Sequence, residues 1–285
     1  MRFRPLVSIA SVAALVLLSA AQPAKAQDKD PLKSRAKELL KSHQEAVVHV
    51  KISMKQSMSI AGQELPGQDS QVEVTGTVID PSGLAVVAES DIDPTSLLMG
   101  LMGGLGGGLG GEGGFESKTD VTDVKIVLPD GKEEPARLVL RDKDLDLAFV
   151  VPQKKDMKLQ HIALAASKAP ELFDDLFVLR RLGRSLDRQP AISVSRVSAT
   201  VNKPRTFYVT DSTMEQLGCP VFDRQGKVIG ITVRRRGPSG GGGLSLANLT
   251  GGMVAVVLHA EDVKEVAEQA LQEAAKKADK KSEDK

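Results

Sequence analysis

Short runs with strand-like alternation, separated by turn residues, constrain the fold of this chain more than any other feature of its sequence. The first run begins after Ala46, where apolar residues at every second position replace the helical spacing of the preceding segment. Turn residues such as Pro81, Gly83 and Gly131 then separate one run from the next. Twelve strands are predicted, at residues 47–54, 71–80, 84–88, 121–128, 133–141, 145–151, 175–182, 191–201, 205–210, 220–223, 227–234 and 253–258.

Many short strands and few helices are typical of an all-β sandwich or barrel rather than an α/β fold. Six predicted strands precede a mixed connector and six follow it, and this even split favours two barrels. Helical spacing is found only near the two ends of the chain. The predicted organisation is a helical segment at 27–45, a first barrel at 46–151 with a Gly-rich insertion at 98–116, a connector at 152–174, a second barrel at 175–259, and a C-terminal helix with a charged tail at 260–285.

Residues 1–26 have the organisation of a cleavable export signal. Arg2 and Arg4 form a basic start, an apolar stretch covers residues 6–21, and residues 24–26 (AKA) fit a signal peptidase site. The apolar stretch is shorter than the roughly 20 residues that span a bilayer. We therefore expect export to the periplasm or the medium, with no transmembrane segment after cleavage; a retained signal anchor is the alternative.

Composition narrows the classes of partner and cofactor. The formal net charge of +1 gives no indication of nucleic acid or an anionic membrane as partner, and 3% aromatic residues argue against stacking platforms for bases or sugars. Cys219 is the only cysteine, so an intramolecular disulfide is impossible. No cofactor or metal is expected, because ligand spacing is absent among the four histidines, His43, His49, His161 and His259.

A Gly-rich run at residues 100–114 interrupts the strand pattern. Glycine at this density is difficult to order, so a flexible loop insertion is one interpretation. The other interpretation is an adaptable apolar surface that binds a partner, since exposed apolar loops are otherwise an aggregation hazard. The candidate binding residues are Leu98, Met99, Leu101, Met102 and Leu105.

Four motifs, in order, resemble the HtrA/Deg branch of the trypsin-like serine proteases. They are residues 76–84 (GTVIDPSGL), 129–139 (PDGKEEPARLV), 142–150 (DKDLDLAFV) and 218–231 (GCPVFDRQGKVIGI). The resemblance covers about residues 46–272. It implies a chymotrypsin-like pair of six-stranded antiparallel barrels with a C-terminal helix, and no PDZ domain is expected.

The same resemblance implies that the catalytic triad is degenerate. Asp146 matches the family's Asp, but Ser90 lies at or next to the position of the family's His, and no histidine occurs between His49 and His161. Leu217 falls where the nucleophilic Ser belongs, in a loop about two residues shorter than the family's. We expect Asp146 and the Ser90 region to face each other across the inter-barrel cleft, with Leu217 nearby.

Other residues are poor candidates to replace the missing catalytic base and nucleophile. Cys219 lacks a nearby histidine or helix N-terminus to lower its pKa, and a buried structural role is expected for it. Ser212 has only Lys203 close in sequence as a base. The arginines at 234–236 end a predicted strand, where side chains are usually solvated, although they can also grip an acidic partner.

The sequence therefore predicts an exported, catalytically inactive protease homologue that binds protein or peptide. The first alternative is an active HtrA-like serine endopeptidase whose active site is rearranged or misaligned here. The second is a mainly structural subunit of an envelope assembly.

Overall fold

The computed structural model of the protein describes residues 30–60, 63–92, 116–154, 157–165, 167–203, 205–211, 216–236 and 253–283. The predicted export signal lies outside the described residues, as do Ser212 and the five candidate binding residues Leu98, Met99, Leu101, Met102 and Leu105.

The first six strands form a closed antiparallel barrel in the order β1-β2-β3-β6-β5-β4. The inward-facing residues of β1 alternate as the sequence predicts, and Val48, Val50, Ile52 and Met54 are at most 1% exposed. Burial of this apolar row fixes the register of β1 against its neighbours. The strands are β1 Val47–Ile60, β2 Gln63–Val78, β3 Ala85–Ala88, β4 Glu116–Val127, β5 Glu133–Asp142 and β6 Leu147–Pro152.

The last six strands form a second closed antiparallel barrel in the order β10-β11-β12-β9-β8-β7. The predicted double barrel with a C-terminal helix is thus confirmed. The strands are β7 Asp175–Arg181, β8 Pro190–Val201, β9 Phe207–Thr210, β10 Pro220–Phe222, β11 Val228–Arg236 and β12 Met253–His259.

Two helices cover the outside of the barrels. α1 (Pro31–His43) begins at Asp30, whose side chain caps it, and packs against the second barrel. α3 (Ala260–Glu283) contacts strands of both barrels, and Arg137 of β5 donates a hydrogen bond to a main-chain carbonyl of this helix. None of the helices in the described parts of the chain is long and apolar enough to cross a membrane.

Two local features differ from the sequence prediction. β1 and β2 extend well beyond the predicted strands, to the pair Ile60–Gln63. Gln56 interrupts the apolar alternation of β1, which resumes in the sequence at Met58, and pairing with β2 continues across this interruption with a register shift. A four-residue helix, α2 (Glu89–Ile92), follows β3 and is too short to show helical periodicity.

Hydrogen bonds between main chain and side chain join the two barrels. Arg181 of β7 is 4% exposed and donates to the carbonyl of Val47 at 2.6 Å and to that of Gln44. Thr77 of β2 donates its hydroxyl proton to the carbonyl of Gly218 at 2.7 Å. These contacts fix the junction that contains the candidate site.

Candidate functional site

Asp146 is the centre of the inter-barrel junction. It lies in the turn between β5 and β6 with a left-handed backbone (φ 58°) and is 5% exposed. Its Oδ1 accepts a hydrogen bond from the main-chain N–H of Ser90 at 2.7 Å, and its Oδ2 accepts one from the N–H of Arg234 at 2.5 Å. The two carboxylate oxygens therefore accept hydrogen bonds from main-chain N–H groups on both sides of the junction, that of Ser90 in the first barrel and that of Arg234 in the second.

Burial raises the pKa of Asp146 to about 6, because the charged form loses solvation. The hydrogen bonds from the N–H groups of Arg234 and Ser90 oppose this shift, whereas the nearby charge of Asp91 adds to it. The carboxyl group thus titrates closer to neutrality than an ordinary aspartate.

Asp91 is a second acid at the same place. It lies in α2, and burial raises its pKa, while the guanidinium group of Arg234 at 3.6 Å acts in the opposite direction. Arg234, predicted to be a solvated strand end, is instead tied to the first barrel through both its main chain and its side chain. The sequence does not predict this role. The only signal for it is that Arg234 lies near the end of the strand that contains the last part of the 218–231 motif.

Ser90 and Asp146 are in direct contact, but not across the cleft as predicted. Both belong to the first barrel, one just after β3 and the other just before β6, and these two strands are hydrogen-bonded neighbours. The group that reaches Asp146 from the opposite barrel is the N–H of Arg234.

Leu217 lies next to Gly218, which packs against the first barrel at the junction. The Leu217 side chain is 2% exposed. Gly218 lies so close to the first barrel that a Cβ at this position would be 2.4 Å from the carbonyl oxygen of Thr75 and 3.5 Å from the N–H nitrogen of Ala88. The N–H groups of Gly218 and Cys219 donate to Thr232, at 2.8 and 2.9 Å, so neither is available to an oxyanion.

None of the four histidines is a hydrogen-bond partner of the Asp146 carboxylate in the described parts of the chain. His43 stacks on Phe222, with ring centroids 5.1 Å apart. His49 donates from Nε2 to the carbonyl of Leu182 at 2.9 Å, and Nδ1 of His259 accepts from the N–H of Glu261. No base is therefore oriented by the carboxylate that matches the family's Asp.

Cys219 does not provide a nucleophile. It is fully buried, and burial raises the pKa of its thiol to about 12. The thiol is therefore protonated at neutral pH, whereas attack and metal binding require the thiolate. Among the described residues, no group of histidine, cysteine, aspartate and glutamate side chains is arranged to hold a metal ion.

Comparison with known proteins assigns the family. The trypsin-like peptidase domain matches residues 74–231, more than half of the 285 residues, and this range includes Ser90, Asp146 and Leu217. No significant match is found among curated proteins. Two closed six-stranded barrels joined at Asp146, together with this match, place the chain in the trypsin-like peptidase domain family.

Proposed function

We propose that this chain is an exported, catalytically inactive trypsin-like protein, similar to the HtrA/Deg branch, that binds a protein or peptide without cleaving it. One observation supports inactivity above the others. The Asp146 carboxylate, which would orient the catalytic base, accepts hydrogen bonds from the N–H groups of Ser90 and Arg234, and no histidine side chain is among its partners in the described parts of the chain.

The expected loss of activity is large. A serine hydroxyl is a poor nucleophile at neutral pH until a base removes its proton. In another serine protease, removal of the nucleophile or of the base alone lowers turnover by about a millionfold. Here buried Leu217 takes the position of the nucleophile, and Ser90 lies at or next to the position of the base.

A binding role is the function that the remaining features support. Buried apolar residues and hydrogen bonds such as that from Thr77 to Gly218 hold the two barrels together. The association of the barrels therefore does not depend on an intact catalytic triad. Such a scaffold keeps surfaces between the barrels that can bind a polypeptide segment.

Export is supported by the signal-like N-terminal sequence. The mature protein is expected to begin at Gln27 and to be soluble outside the cytoplasm. N-terminal sequencing of the native protein tests this, and an intact Met1 in a membrane pellet would contradict it.

Incubation of the purified mature protein with unfolded casein tests binding without cleavage. The expected result is no new fragment on a denaturing gel, with discrete partners recovered when the same protein is used to capture proteins from the native envelope fraction. The match to a peptidase domain favours one alternative, an active endopeptidase with a rearranged site. Casein fragments produced by the purified protein would support that alternative.

A further inference from the structure

The loop at residues 182–189 joins β7 to β8 in the second barrel and contacts β2 of the first barrel. Arg188 of this loop donates from Nε and Nη2 to the two carboxylate oxygens of Glu73, at 3.0 and 2.8 Å. The main-chain carbonyl of Arg188 accepts a hydrogen bond from Arg181 at 3.0 Å. Bidentate pairs of an arginine and a carboxylate are among the stronger polar contacts in proteins, so this pair, the Glu73–Arg188 clasp, holds the loop to the first barrel.

The backbone of the loop is strained at the residue that forms the clasp. Asp187 and Arg188 are consecutive residues with φ of 51° and 50°, in the left-handed region that residues other than glycine rarely adopt. Such conformations persist only where the surrounding structure holds them. Loss of the Glu73–Arg188 clasp therefore favours a rearranged loop.

His49 lies beside the clasp and has one unused ring nitrogen. The residue is 3% exposed, and its Nε2 donates to the carbonyl of Leu182 in the loop. Because a carbonyl only accepts, Nε2 carries the proton, and Nδ1 of the neutral ring is bare. Nδ1 has no hydrogen-bond partner in the described parts of the chain and lies 3.9 Å from Oε1 of Glu73. A proton taken up by His49 therefore enters at the nitrogen that faces the clasp.

The surroundings of His49 disfavour this proton. Burial is the largest cause and lowers the pKa of His49, and the guanidinium groups of Arg188 and Arg181 lower it further. The Leu182 carbonyl and the Glu73 carboxylate act in the opposite direction. A protonated His49 thus adds a third cation around the single carboxylate of Glu73.

The other charged groups near the clasp do not compensate for this cation. Lys51 and Glu133 form an ion pair with each other. Glu45 acts on the guanidinium group of Arg181. The carboxylate of Glu73 is therefore the group for which a protonated His49 and Arg188 compete.

The direction of the pH effect follows from the lowered pKa. With the loop closed, His49 binds a proton less tightly than with the loop open, where its pKa returns towards the ordinary value of 6.5. Closure is therefore most stable above pH 6.5 and is weakened as the pH falls towards the lowered pKa. The raised pKa of Asp146 favours the folded state in acid and so acts in the opposite direction.

We propose that His49 and the Glu73–Arg188 clasp form an acid-sensitive switch that releases the loop at 182–189 from the first barrel when Nδ1 of His49 is protonated. The imidazolium repels Arg188 and competes with it for Oε1 of Glu73. Once Arg188 is free, the left-handed backbone at 187–188 relaxes. This inference does not depend on the proposed function.

The test is hydrogen–deuterium exchange of the purified mature chain at about pH 7.5 and about pH 5, corrected for the intrinsic pH dependence of exchange. The main-chain N–H groups of Asp187, Arg188 and Gln189 donate to carbonyls within the loop, so their exchange reports its opening. Opening should become about tenfold more frequent for each pH unit below 6.5, until the lowered pKa of His49 is reached. The turn at residues 80–84 has its own main-chain hydrogen bonds and is the internal reference, whose corrected exchange should not change.

Three variants assign the effect. His49→Gln cannot titrate but keeps an amide N–H for the Leu182 carbonyl, so its loop should exchange at the same corrected rate at both pH values. Glu73→Gln removes the carboxylate of the clasp, so its loop should open severalfold more often than that of the parent even at the higher pH. His161→Gln, at a half-buried histidine of the connector, is the matched control and should keep the pH dependence of the parent.

Equal corrected exchange of the loop at the two pH values in the parent, or slower exchange in acid, would overturn the proposal. A pH dependence that persists in His49→Gln would overturn the assignment to His49. Exchange of Glu73→Gln that matches the parent at the higher pH would show that the clasp does not hold the loop. Each of these results leaves the proposed inactivity untouched.

Discussion

The main-chain N–H of Arg234, in the second barrel, donates a hydrogen bond to the carboxylate of Asp146, in the first barrel, at 2.5 Å. The other oxygen of this carboxylate accepts from the N–H of Ser90. The residue that matches a catalytic aspartate therefore joins the two barrels through main-chain contacts, and a structural role accounts for its burial.

The free energy of unfolding should depend on pH through the ionisation of Asp146. Its pKa is raised from 3.8 to about 6 in the folded chain, so the folded state binds the proton more tightly than the unfolded state. Its contribution to stability is therefore greatest below pH 4 and is lost as the pH rises from about 4 to about 6. The stability of the parent relative to Asp146→Asn should fall by up to ~3 kcal/mol across this range in urea unfolding.

Two considerations make this comparison specific. Burial lowers the pKa values of His43 and His49 in both proteins, so the contributions of these histidines cancel in the difference. Asp144→Asn, at an exposed aspartate two residues away, serves as the matched control and should show no such trend relative to the parent. A difference between the parent and Asp146→Asn that does not change with pH would contradict the assignment.

Gly218 should be far less tolerant of a side chain than another left-handed glycine. Gly218→Ala combines a φ of +71° with a Cβ 2.4 Å from the Thr75 carbonyl oxygen, and should cost about 3 kcal/mol or more of stability. Gly131→Ala has a φ of +83° but no atom within 4 Å of the new Cβ, so a loss of about 1 kcal/mol is expected. Equal losses in urea unfolding would mean that Gly218 does not pack tightly against the first barrel.

Reintroduction of the missing residue types should not restore proteolysis. In Ser90→His/Leu217→Ser and in Asp91→His/Leu217→Ser, the N–H groups of Gly218 and Cys219 remain bonded to Thr232, so they cannot donate to an oxyanion formed at the new serine. Both variants are expected to leave a fluorogenic casein substrate uncleaved, with far-UV circular dichroism as the check on folding. Turnover well above that of the parent would show that the oxyanion-binding groups are intact.

The double barrel could be predicted because its determinants are local. The alternating row from Val48 to Met54 and turn residues such as Pro81 and Gly83 lie within short stretches of sequence. The extension of β1 to Ile60 is not predicted, because Gln56 interrupts the apolar alternation before it resumes at Met58, and pairing with β2 and β4 carries the strand across this break.

The candidate site could be predicted only in part. The motif positions led to Asp146 and Ser90, which are in contact. The contact of Asp146 with Arg234 joins residues 88 positions apart through a main-chain N–H, which no side-chain pattern reveals.

The most direct test of inactivity is reaction of the purified mature protein with a fluorophosphonate probe, with trypsin as the positive control. The probe forms a bond only with a serine whose hydroxyl is activated by a neighbouring base. The account predicts no labelling of the native protein above that of the heat-denatured protein. Labelling of the native protein that is abolished by substitution of one specific serine would contradict the account and show that the chain is an active serine hydrolase.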